Sequence, residues 1–161
     1  MPRLLVVHHA PTLAVTALAE AAVAGAGDEA IQGVEVVVCP ALEASAVDVL
    51  AADGYLLGTP ANFGYMSGAL KHFFDTIFLE AGGALSDDGS AGSTAGGRKP
   101  YGLWVHGRYD TTGAVRSVQS IVQALGWQQS APVLEVLGEV GEAERASAYE
   151  LGGTIAALLS R

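Results

Sequence analysis

Cysteine is nearly missing from this chain: Cys39 is the only one in 161 residues. No internal disulfide can form, which excludes a disulfide-built scaffold and suits a reducing, cytoplasmic setting. Positive charge is also scarce. Eight Lys+Arg stand against 17 Asp+Glu, giving a net charge of −9. Such a surface repels phosphate backbones and anionic lipid, so a nucleic-acid or membrane-surface partner is not expected. Any anionic ligand would have to be held by backbone N–H groups and dipoles. No run of about 18 apolar residues occurs, so no membrane insertion is expected. The apolar start, Leu4 to Val7, is too short for a signal peptide. A P-loop, a nucleophile elbow and a Ser-His-Asp arrangement are absent. His8 and His9 have no Cys or carboxylate companion, and adjacent strand residues point to opposite faces, so no metal site is expected.

What is present is aliphatic. Half of the residues are hydrophobic, only 16% are charged, and there are 21 glycines. That excludes a disordered chain and fits a large core joined by many tight strand–helix turns. The length suits a single domain over residues 1–161. Leu4–Val7 reads as a strand buried on both faces, and Val34–Val38, Tyr55–Leu57, Leu103–Val105 and Pro132–Leu137 read as four further strands. Leu13–Ala24, Ala44–Leu50, Ser67–Glu80, Val115–Leu125 and Glu142–Leu159 read as helices, the last interrupted at Gly152-Gly153. Pro11 suits the first helical position before Leu13. Ser67 and Thr111 or Thr112 are candidate caps. Residues at about 81–99 form a Gly/Ser-rich insertion expected to be a flexible loop.

Strict β–α alternation predicts an α/β fold with helices on both faces of a parallel sheet. Five such units match the doubly wound sheet of strand order 2-1-3-4-5. Ligands bind such sheets beyond the carboxyl ends of the strands, where the order switches. Three loops therefore carry the expected site: His8 to Thr12, Thr59 to Met66, and His106 to Gly113.

The middle loop leads into a helix and runs Gly58-Thr59-Pro60-Ala61-Asn62-Phe63-Gly64-Tyr65-Met66-Ser67-Gly68-Ala69-Leu70-Lys71-His72-Phe73-Phe74-Asp75. Pro60 stiffens the exit from the strand, and Asn62 and Gly64 permit positive φ. Phe63 can face a flat ring or dock the loop. This run resembles the signature of the flavodoxin-like superfamily. It is most similar to the NAD(P)H-dependent FMN reductases and the tryptophan-repressor-binding-protein-type quinone oxidoreductases. The resemblance implies a flavodoxin-like fold and an FMN cofactor. It also implies that Thr59, Pro60, Ala61, Asn62, Phe63 and Gly64 lie against the flavin ring. His106, Gly107, Arg108, Tyr109 and Asp110 would border the ring and the ribityl chain. The phosphate would fall to His9, Pro11 and Thr12 at the first helix. There the chain departs from the family's hydroxyl- and glycine-rich run: Leu13 stands where a glycine is usual, and Pro11 lacks an amide.

The resemblance implies an FMN-dependent oxidoreductase passing electrons from NAD(P)H to a small, quinone-like acceptor, in a homodimer or homotetramer. No side-chain acid or base is then required, because the flavin carries the redox step. Two other readings stay open. One is a binding or regulatory domain of the same fold with weak or lost FMN binding. The other is a flavodoxin-type electron carrier. Cys39 reads as a structural thiol, His72 as a helix-surface histidine, and Lys71 with Asp75 as a surface pair.

Overall fold

A computed structural model of the chain describes residues 1–81 and 98–160. The insertion expected at about 81–99 lies, for residues 82–97, outside the described residues. The chain alternates as expected through β1 (Arg3–His8), α1 (Leu13–Ala26), β2 (Glu35–Pro40), α2 (Ala46–Ala51) and β3 (Gly54–Asn62). It continues through β4 (Tyr65–Met66), α3 (Gly68–Ala81), β5 (Pro100–Gly107) and α4 (Thr112–Ala124). The short strands β6 (Gln128–Gln129) and β7 (Leu134–Leu137) precede α5 (Glu142–Leu159).

The parallel sheet has the order β2-β1-β3-β5, with both β6 and β7 pairing to β5. This is the doubly wound order, with its fifth strand broken in two. The break falls at Ser130 to Val133, where Pro132 cannot donate to a ladder. β4 is an addition: it pairs antiparallel with the end of β3.

Alternation along the strands divides the core. Leu5, Val7, Tyr55, Leu57, Leu103 and Val105 pack with α2, α3 and α4. Leu4, Val6, Leu56 and Trp104 pack with α1 and α5. On the first face, Tyr55 stacks on Trp127 at 3.8 Å, and its hydroxyl donates to Val49 O at 2.8 Å. Burial there pushes the Tyr55 phenol well above its ordinary pKa.

Three local expectations need correction. First, α5 runs unbroken through Gly152-Gly153. These glycines are packing residues: a Cβ on Gly152 would sit 1.9 Å from Ala22 O, and one on Gly25 would sit 1.8 Å from Tyr149 O. The backbones of α1 and α5 approach too closely for any side chain between them. Second, Pro11 is not the first helical residue. Thr12 is the N-cap, its hydroxyl accepting from Val15 N at 3.4 Å, and α1 starts at Leu13. Third, Thr111 occupies the N-cap position of α4 without capping it. Its hydroxyl donates instead to Glu135 Oε1 at 2.7 Å. Ser67 does cap α3, accepting from Leu70 N at 3.1 Å.

The α1–α5 contact reverses the usual sign of a helical glycine substitution. Replacing glycine by alanine inside a helix normally stabilises by up to about 1 kcal/mol. Gly152→Ala is expected to destabilise by about 3 kcal/mol, the upper end of overpacking costs, because backbone must move. Gly68→Ala, with nothing within 4 Å of its Cβ, is expected to be neutral or stabilising. Urea denaturation of both variants checks this, and equal stabilities would refute it.

Candidate functional site

A cleft of about 1150 Å³ opens at the carboxyl ends of the strands, where the strand order predicts it. Four segments wall it. The first is the start of α1, from Pro11 and Thr12 through Leu13, Ala14 and Val15. The second is the β3–β4 hairpin, Pro60 to Gly64. The third is the β5–α4 loop, His106 to Asp110. The fourth, Gly138 to Val140 after β7, was not among the expected loops. The rule that ligands sit beyond strand ends applies to β7 as well, but the expected loops were confined to the switch point.

The hairpin is built differently from the expected loop. β3 does not end at Leu57 but continues through Asn62, and Ala61 and Asn62 pair with Met66 and Tyr65. Phe63 and Gly64 close the hairpin with φ of 53° and 74°. Two successive positive φ values define the I′ turn that matches the twist of a two-residue hairpin. The left-handed residues are therefore Phe63 and Gly64, not Asn62 and Gly64. Phe63 is the only non-glycine residue with positive φ among those described, and its side chain is fully exposed. A bulky side chain in this region is strained, and no burial offsets the strain.

Thr59 does not reach the cleft. It is fully buried, accepting from Ser67 N at 2.9 Å and donating to Pro60 O at 2.8 Å. Its role is to brace the hairpin against the start of α3. Gly113 fixes the other side of the tip, since a Cβ there would lie 2.0 Å from Gly64 O. That carbonyl rests on the first turn of α4, the positive end of the helix dipole.

His9 also lies off the cleft. Its N–H extends the ladder, donating to Gly58 O at 3.1 Å. Beside it, α1 presents its N-terminus to the cleft. Thr12 satisfies Val15 N, which leaves the N–H groups of Leu13 and Ala14 without intrahelical partners. Pro11 precedes the cap, so its missing amide removes none of these donors. The segment can hold an anionic group through backbone amides, the Thr12 hydroxyl and the dipole.

The third and fourth walls are stitched together. The ring Nε2–H of His106 donates to Gly138 O at 2.6 Å, and Gly138 N donates to Gly107 O at 2.9 Å. His106 thus lines the cleft while using one nitrogen structurally. Asp110 accepts from Thr112 N at 2.9 Å, and this bond, followed by one from the Thr112 hydroxyl, lowers its pKa. Arg108, Asp110 and Glu139 are the charged residues lining the cleft. The exposed aromatics Phe63 and Tyr109 and the exposed Leu13 add apolar surface. A flat ring with an anionic tail therefore finds aromatic side chains and backbone amides in one cleft.

The remaining chemistry-bearing residues are quiet. No group of three or more His, Cys, Asp or Glu that could hold a metal ion occurs among the described residues. Lys71 and Asp75 form an i,i+4 ion pair at 2.7 Å. Cys39 is half-buried, and burial, with Asp48 and Glu43 nearby, raises its thiol pKa. No helix among the described residues is long and apolar enough to cross a membrane.

Known proteins bear out the architecture. The family model described as NADPH-dependent FMN reductase matches residues 13–141. A flavodoxin of Aquifex aeolicus (strain VF5) is 35% identical over 85 residues, which is 53% of this chain and 45% of that protein. The match therefore spans less than half of that relative's length. A flavodoxin from the domain Archaea superposes with a TM-score of 0.78 at 16% identity, covering 98% of both chains. A flavodoxin, WrbA-like protein from Agrobacterium tumefaciens gives a TM-score of 0.74 at 17% identity, covering 99% of this chain and 98% of its own. At these identities the structural likeness establishes the flavodoxin-like fold.

The I′ turn generates a direct test of its strain. Phe63→Asn supplies the Asn-Gly pair that this turn favours and removes no buried contact. It is expected to raise stability by roughly 1 kcal/mol, the cost of one bulky left-handed residue. A thermal or urea midpoint that falls instead would mean that Phe63 packs in solution.

Proposed function

The chain belongs to the NADPH-dependent FMN reductase family, and from that premise we propose that it is an FMN-dependent oxidoreductase passing electrons from NAD(P)H to a small, quinone-like acceptor. The observation that carries the reading is Phe63, a strained and fully exposed aromatic at the tip of a braced hairpin in the cleft wall. Strain of this kind is retained where a site needs it.

The residues present fit the cofactor. Phe63 and Tyr109 offer ring faces to a planar group. The backbone of the hairpin and of Gly107 to Asp110 offers polar contacts along its edge. The phosphate falls to Thr12 and the free amides of Leu13 and Ala14. This replaces the hydroxyl-rich loop of relatives with a bare helix N-terminus. When bound, FMN supplies the electron transfer, and the protein supplies placement and electrostatics. The exposed apolar surface at Leu13, Phe63 and Tyr109 suits an uncharged, flat acceptor. Asp110 and Glu139 discourage anionic acceptors.

A second reading, a flavodoxin-type carrier, is favoured by the relative named as a flavodoxin. The two differ in whether a nicotinamide nucleotide reduces the bound flavin. We also read the chain as one cytoplasmic domain that assembles as a homodimer or homotetramer.

Titrating the purified protein with FMN and following flavin absorbance and fluorescence tests the proposal. Saturable binding is expected, and none at concentrations well above micromolar would sink it. Phe63→Asn is expected to weaken binding about tenfold, the equivalent of one lost aromatic contact of about 1.4 kcal/mol. Anaerobic addition of NADPH or NADH to the FMN complex should bleach the flavin. A complex that neither nucleotide reduces is the carrier.

A further inference from the structure

Away from the cleft lining, two buried side-chain nitrogens have no hydrogen-bond partner: Nδ1 of His8 and Nε1 of Trp104. They share one place in the fold. His8 pairs in register with Gly58, and Gly58 pairs in register with Trp104. The three residues form a row across β1, β3 and β5. Residues in register on parallel strands project to the same face. That face is the one covered by α1 and α5, where Trp104 packs with Leu4, Val6 and Leu56. His8 follows Val6 by two positions and shares its side.

Gly58, in the middle of the row, has no side chain, and the indole fills its space. An ideal Cβ on Gly58 would lie 2.0 Å from Cε2 and Cζ2 of Trp104 and 2.5 Å from Nε1. The indole therefore reaches across β3 with its N–H edge over the row that ends at His8. Trp104 is fully buried, so bulk water does not satisfy its N–H. Burial, and secondly the charge of His9, holds the His8 pKa below its ordinary value. Neutral imidazole has one acceptor nitrogen and one donor. An orphan indole N–H over Gly58 thus stands beside an unpartnered imidazole nitrogen on the neighbouring strand.

We infer that a single ordered water bridges them, accepting from Trp104 Nε1–H and donating to His8 Nδ1. Buried waters need two to four polar partners, and this pair supplies the minimum. The bridge fixes His8 in the tautomer protonated at Nε2. It also removes the two unsatisfied atoms that the protein alone leaves in this row. The site lies beneath the cleft, at the last residue of β1 and two residues before Pro60. It does not depend on which ligand the cleft takes.

Solution NMR on the intact chain at neutral pH tests the bridge. The Trp104 indole N–H is expected to show a cross-peak to water with the sign of a long-lived bound molecule. The His8 ring nitrogens are expected to show the Nε2–H pattern. In His8→Phe the Trp104 cross-peak should disappear while amide shifts remote from β1 stay in place. Three results would overturn the inference: no bound-water signal at Trp104 in the parent protein, a proton on Nδ1 of His8, or a cross-peak that survives in His8→Phe. Should His8→Phe not fold, the two measurements on the parent protein decide alone.

Discussion

β3 is paired with β1 only as far as Gly58 and with β5 only as far as Pro60, yet it continues to Asn62. A strand that outruns its neighbours leaves backbone N–H and C=O groups without a ladder. The chain meets that demand by folding back, so that Ala61 and Asn62 pair with Met66 and Tyr65. The return must be tight because Ser67, immediately after β4, is held by the Thr59 hydroxyl. Two residues remain for the turn, and the twist-matching I′ form that the chain adopts has positive φ at both. The exposure of Phe63 is thus the end of a chain of backbone constraints that starts inside the sheet.

The two faces of the sheet are closed by different means. On the face of α2, α3 and α4, large side chains interdigitate, and the Tyr55–Trp127 stack joins the sheet to the segment after α4. On the other face, α1 and α5 approach each other backbone to backbone through Gly25 and Gly152. Close approach there sets the position of α1, and α1 brings the Leu13 and Ala14 amides to the cleft. A glycine far from the cleft in sequence therefore helps set where these amides stand. The phenol of Tyr149 adds a hydrogen bond to Asp28 just beyond the end of α1, and this bond lowers the Asp28 pKa.

The alternation of elements, the two-sided burial of β1 and the position of the cleft were legible in the sequence, because they follow from hydrophobic runs and one topological rule. The glycines in α5 were not. Gly152-Gly153 looks like a helix break locally, and only the presence of α1 alongside shows why no side chain fits. Thr59 misled for a related reason. It stands in a ligand-facing motif, but alternation turns it inward, where its hydroxyl serves Ser67. Phe63 was legible as an aromatic at the site, but its left-handed backbone was not, since residue preference assigned that conformation to Asn62. The Gly138 to Val140 wall carries no motif; it became visible once β7 was paired to β5 and His106 was tied to Gly138.

The first loop shows how a departure in sequence can leave a geometry in place. Relatives line this turn with hydroxyls and glycine; this chain has His9, Pro11, Thr12 and Leu13. Read residue by residue, the substitutions remove donors. In the folded chain Pro11 lies outside the helix, Thr12 serves as its cap, and the first-turn amides that face the cleft belong to Leu13 and Ala14. Amide donors depend on backbone path, and the path is set by the end of β1 and the packing of α1 on α5. Side-chain identity then tunes how strongly an anion would be attracted rather than whether the amide donors are there. With few cations in a chain of net charge −9, a site built from a helix terminus also avoids the need for a basic side chain at that end of the cleft. Arg108 remains available on the opposite loop.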